Sequence, residues 1–196
     1  MNLLIISIMA LICGGGNKYA DLFNEHGLKQ PHKYADILWG YLWGLAGAYL
    51  VYIDPNVAVI YIGTTLYWFL RIKLEYFNHA LAGTLILLSG FYYQSEYIMH
   101  NTNELLFIFL AFSITGYIQK YLKLSSFNLW WLWRLRLRIY LIPLIYSIYT
   151  NNYLPVFVTV VAMLGNELVR YIYSEYENDS SLISKKSMTI STRSET

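Results

Sequence analysis

Apolar residues gather in long runs along this chain, and short polar connectors separate them. An α-helix rises about 1.5 Å per residue, so about 20 apolar residues are needed to cross the roughly 30 Å hydrocarbon core of a bilayer. Runs of that order fall at 3–16, 34–53, 57–71, 79–98, 104–118, 138–150 and 153–173. Four of the seven are shorter than the ideal. Local thinning of the bilayer, or interfacial Tyr and Trp at their ends, meets such a deficit. The expected fold is an all-α, polytopic membrane bundle of about seven transmembrane helices within residues 1–174.

Charge in the connectors adds an orientation. Lys18, Lys29 and Lys33 lie in the first connector, Asp54-Pro55-Asn56 carries no base, Arg71 and Lys73 lie in the next, and 99–103 again has neither lysine nor arginine. Lys120, Lys123, Arg134, Arg136 and Arg138 follow, then the base-free turn Asn151-Asn152, then Arg170, Lys185, Lys186 and Arg193. Every second connector is basic, so the positive-inside rule puts the N-terminus outside and the C-terminus in the cytoplasm, with the plasma membrane as the expected location. The polar, Ser/Thr-rich stretch 175–196 reads as a disordered cytoplasmic tail. No Lys or Arg precedes the apolar stretch 3–13, so it reads as a first helix and not as the core of a signal peptide.

Composition agrees with lipid as the solvent. Hydrophobic residues make up 57% of the 196 and charged ones only 13%, against about 25% charged in a soluble domain. A net charge of +2 is too small for a nucleic-acid surface, whose affinity comes from clustered phosphate contacts. Membrane lipids are the expected partners. The single cysteine, Cys13, excludes an intramolecular disulfide and a thiolate metal cluster.

Gly40 and Gly44 are four apart and share a helical face. Missing side chains there let a neighbouring backbone approach, leave room for a lipid tail or solute, or offer a face for oligomerisation. Gly14-Gly15-Gly16 reads as a hinge between helix and connector, with a phosphate-binding nest as the specific alternative.

The densest polar cluster beside hydrocarbon runs from Arg71 to His79. In a helix Glu75 and His79 fall at i and i+4, which suits an acid–base pair because imidazole changes protonation near neutrality and a carboxylate orients it. Glu75, His79 and Asp36 are the candidate catalytic residues, and Arg71, Lys73 and Asn78 are candidates for holding substrate. Asp21 and Glu25, one helical turn apart, are the candidate metal ligands. Carboxylate donors suit Mg²⁺ or Mn²⁺ better than zinc. The bland alternative is an interfacial turn with solvated, mutually paired charges.

Glu167 lies twelve residues beyond Pro155, about 18 Å along the last run. A charge at that depth costs on the order of 3 kcal/mol. Either it faces the bundle interior and works with Asn166 and Arg170, or Arg170 at i+3 neutralises it. Asn166, Glu167 and Arg170 are therefore further substrate-binding candidates. Trp130 to Arg138 mixes indoles with arginines, as a surface-lying anchor or a grip on anionic lipid headgroups requires.

Three functions fit these features. One is a membrane-embedded enzyme acting with a divalent metal on a phosphate-bearing lipid or isoprenoid headgroup at the cytoplasmic face. The second is an ion or small-solute transporter or channel using Glu167. The third is an accessory subunit of a larger membrane complex.

Overall fold

A computed structural model describes residues 2–70, 76–124 and 137–174. Among them the chain forms eight helices and no strand: α1 (Leu3–Glu25), α2 (Ala35–Ile53), α3 (Pro55–Leu70), α4 (Phe77–Tyr93), α5 (Ser95–His100), α6 (Thr102–Leu124), α7 (Leu137–Thr150) and α8 (Leu154–Ile172). Three stretches, Leu3–Asn24, α2 and α8, are long and apolar enough to cross a membrane, and α3 and Thr102–Ile118 are shorter apolar helices. Large apolar side chains stand exposed along every long helix, among them Leu4, Leu42, Phe69, Leu88, Phe107, Ile148 and Leu164. A water-soluble monomer rarely shows apolar surface on that scale, whereas lipid accepts it.

Local chemistry sets the turns. Asp54 Oδ1 accepts from the Val57 amide at 2.9 Å and Asn152 Oδ1 from the Leu154 amide at 3.0 Å, satisfying donors that a helix start leaves orphaned. Proline opens α3 at position 55 and stands second in α8 at 155, where no intrahelical N–H is needed. Asn151 takes the left-handed conformation, φ 51°, that asparagine tolerates. Asn152 Nδ2 donates to Asp54 Oδ2 at 3.0 Å and joins the two turns.

Glycine sets the packing. On α2, a Cβ at Gly40 would meet Asn78, at Gly44 Ala82 and at Gly47 Ile86, so α2 and α4 lie against each other in parallel. The Gly40/Gly44 face is thus occupied by a helix of the same chain. Gly63 meets Ile108 and Gly116 meets Tyr67, which makes α3 and α6 parallel as well. Tyr19 of α1 and Tyr173 just beyond α8 have ring centroids 5.3 Å apart, while Gly14 abuts Ala162, so this pair is also parallel.

The first segment departs from the sequence reading. Gly14-Gly15-Gly16 is neither a hinge nor a nest, because α1 runs through it without a break to Glu25. Gly14 and Gly15 face Ala162 and Gly165 of α8, and Gly16 faces Trp43. Each glycine costs a helix about 1 kcal/mol relative to alanine, and backbone-to-backbone packing offsets that cost. The run expected at 79–98 also divides, with α4 ending at Tyr93 and the short α5 following. Most of Trp130–Arg138 and the tail 175–196 fall outside the described residues.

At the end of the bundle holding Asp54, Tyr97 Oη donates to Asn56 Oδ1 at 2.8 Å and Tyr146 Oη to Glu104 Oε2 at 2.6 Å.

Gly40→Val gives a stability prediction. The nearest atoms to a new Cβ are Asn78 Cβ at 2.6 Å and Asn78 Cα and O at 2.8 Å. Overpacking of this kind costs about 1–3 kcal/mol, to be read as a lower thermal midpoint of the detergent-purified protein.

Candidate functional site

At the other end of the bundle, residues from four helices converge. Asp21 stands one turn before the end of α1, His79 in the first turn of α4, Arg138 in the first turn of α7 and Tyr67 in the last turn of α3. His79 Nε2 lies 2.8 Å from Asp21 Oδ1, and the two side chains are 9% and 26% exposed. A carboxylate oxygen accepts and does not donate, so Nε2 carries a proton, and in the neutral form of the ring Nδ1 holds the lone pair.

Asn78 fixes the backbone that carries this ring. Its Oδ1 accepts from the His79 amide at 2.8 Å and from Asn24 Nδ2 of α1 at 3.0 Å, tying the start of α4 to the end of α1. Gly40 provides the space in which Asn78, 1% exposed, sits against α2. Asn78, which the sequence offers as a substrate contact, joins α4 to α1 and does not line the cavity.

The Asp21–His79 pair lines a cavity of about 400 Å³ to which every helix except α5 contributes. Its polar lining includes Asn17, Lys18, Thr64, Thr65, Tyr67, Arg138 and Asn166. Its apolar lining includes Ile60, Trp68, Ile86, Phe112, Pro143 and Met163. Thr64 and Thr65 donate to the Ile60 and Tyr61 carbonyls at 2.7 and 2.8 Å, so their hydroxyl protons are engaged and the oxygens keep acceptor capacity. Positive charge comes from Lys18, only 6% exposed, and from Arg138. Arg138 Nη1 donates to Tyr67 Oη at 3.2 Å, and its guanidinium carbon lies 5.5 Å from the centre of the Tyr67 ring. Pro143 removes the amide that would bond the Ile139 carbonyl, and both residues line the cavity. Burial in a medium of low dielectric strengthens any charge interaction made inside.

The chain matches no family model, no curated protein and no solved structure.

Of the sequence candidates, Asp21, His79 and Asn166 line the cavity, while Asp36 in the first turn of α2 does not. Glu75, Arg71 and Lys73 and the side chain of Glu25 lie outside the described residues. Helix α4 begins at Phe77 after an extended Tyr76, and the carboxylate on His79 is that of Asp21. Glu167 stands on the outer face of α8, 46% exposed and 3.6 Å from Arg170 Nη1, so the i+3 pair forms and the cavity is left to Asn166. Among the described residues no three His, Cys, Asp or Glu side chains gather as a metal site requires. A Mg²⁺ or Mn²⁺ ion, which takes about six donors, would need more than Asp21 and His79 supply.

Lys18, Tyr67, Trp43 and Arg138 also line the cavity and carry no spacing signal that marks them as a group. Lys18 and Asp21 are three apart, and continuing α1 through the glycines would have put them on one face.

Proposed function

We propose that this chain is a seven-pass membrane enzyme that takes the headgroup of a phosphate-bearing lipid or isoprenoid into the cavity between its helices. The supporting observation is the meeting, in one cavity of about 400 Å³, of the Asp21–His79 pair with buried Lys18 and with Arg138. Lys18 and Arg138 hold the anionic group, Asp21 orients the imidazole, and His79 Nδ1 accepts a proton from the group that reacts. Ile60, Phe112 and Met163 take the first carbons of the chain. A cavity of this size suits a headgroup and not a whole lipid, whose tail must leave between helices.

Seven passes are supported by the parallel pairs α1/α8, α2/α4 and α3/α6, the relation expected when each following long helix reverses direction. The alternation of basic connectors then puts the Asp21 end in the cytoplasm. The transporter reading rested on Glu167, which stands outside the cavity.

The test is binding. Protein purified in dodecyl maltoside is titrated with dodecyl phosphate and followed by tryptophan emission, since Trp43 and Trp68 line the cavity. Dodecyl phosphate is expected to bind saturably, with dodecanol and inorganic phosphate much weaker, and Lys18→Ala and Arg138→Ala each lowering affinity at least tenfold. Equal response to dodecanol, or alanine variants that bind like the parent, would refute the reading.

A further inference from the structure

Beyond Asp21, two nitrogens in the cavity wall carry information about the ligand. Trp43 Nε1 and His79 Nδ1 are both buried and have no hydrogen-bond partner among the described residues. Their side chains line the same cavity, the residues are 1% and 7% exposed, and the ring centroids lie 6.0 Å apart. Buried polar groups are nearly always satisfied, so two orphans on neighbouring rings of one cavity mark where a ligand group belongs.

Their chemistry is complementary. An indole N–H can only donate, and in the neutral imidazole whose Nε2–H is engaged by Asp21, the form a general base requires, Nδ1 can only accept. A phosphate dianion has no proton for Nδ1, an ammonium has no lone pair for the indole, and a carbonyl or ether lacks the donor. A hydroxyl supplies both. Resting on the headgroup reading above, we propose that Trp43 and His79 form a hydroxyl-recognition point, and that the ligand is a phosphate amphiphile bearing a free hydroxyl near its phosphate. The hydroxyl oxygen accepts from Trp43 Nε1–H and its proton is donated to His79 Nδ1, the atom proposed to act as base.

The experiment compares dodecyl phosphate, 2- and 3-hydroxydodecyl phosphate and their methoxy analogues on the unmodified protein, by the same tryptophan titration. One hydroxylated isomer is expected to bind at least tenfold more tightly than dodecyl phosphate. Its methoxy analogue, which accepts without donating, is expected to lose most of that gain. Trp43→Phe and His79→Leu are each expected to bring the hydroxyl-to-plain ratio close to one. Should either variant fail to fold, the ligand series on the unmodified protein still decides. Equal affinity for all the phosphates would overturn the hydroxyl point and leave the headgroup reading standing, whereas no binding of any phosphate would overturn both.

Discussion

Gly165→Val is expected to be among the most destabilising single changes in the protein. A Cβ there would lie 2.5 Å from the Leu11 carbonyl oxygen and 3.1 Å from the Gly15 amide nitrogen, and none of these is a side-chain atom that can rotate away. Gly14 faces the Ala162 carbonyl across the same contact. Relief requires α1 and α8 to separate, which withdraws Lys18 and Asp21 from Asn166 across the cavity. Ordinary overpacking costs about 1–3 kcal/mol, and a rigid backbone contact belongs at or above the top of that range. Gly14→Val is expected to behave alike, and the double variant to cost less than the sum, because one helix separation relieves both. Denaturant titration in detergent micelles measures this, and a loss below about 1 kcal/mol for Gly165→Val would show that the two backbones are not in contact.

Asp21 carries the second large effect. Removing the carboxylate in Asp21→Leu leaves the buried His79 Nε2–H without its acceptor, at a cost of about 1.5–3 kcal/mol for a bond to a charged group. Asp21→Asn keeps the shape but offers an amide, which accepts through oxygen or donates through nitrogen. The tautomer of His79 is then no longer fixed. Nitrogen NMR of ring-labelled histidine, recorded at a pH where the ring is neutral, is expected to show the His79 proton at Nε2 in the parent and a mixture of tautomers in Asp21→Asn. The same variant removes a negative charge beside the proposed phosphate, so dodecyl phosphate is expected to bind it more tightly, opposite in sign to Lys18→Ala. A His79 signal unchanged by Asp21→Asn would mean that Asp21 does not set the ring.

Helix positions were largely legible because the hydrophobic period and the turn residues agree. Asp54-Pro55 and Asn152 mark helix starts in the sequence and cap them in the structure. The glycines were legible only in part. Gly40 and Gly44 sit within an apolar run and read as a packing face, which α4 fills. Gly14 to Gly16 adjoin polar residues, and local propensity argues for a break there, while the partner that rescues the helix, Ala162 to Gly165, lies about 150 residues away. The site followed the same rule. Spacing along one helix suggests Glu75, which lies outside the described residues, as a partner for His79; the partner that the structure describes is Asp21 on another helix. Arg138 reads from the sequence as a lipid-surface arginine, whereas in the structure it bonds Tyr67 and lines the cavity. Spacing reports neighbours on one helix and not the faces that two distant helices present to each other.

The most direct measurement is a map of the detergent-purified protein bound to dodecyl phosphate, with side-chain density in the cavity. The phosphate is expected between Lys18 and Arg138 beside the Asp21–His79 pair, with the alkyl chain running past Phe112 and Met163. A phosphate found only on the outer surface of the bundle, with the cavity walls closed together, would contradict this placement.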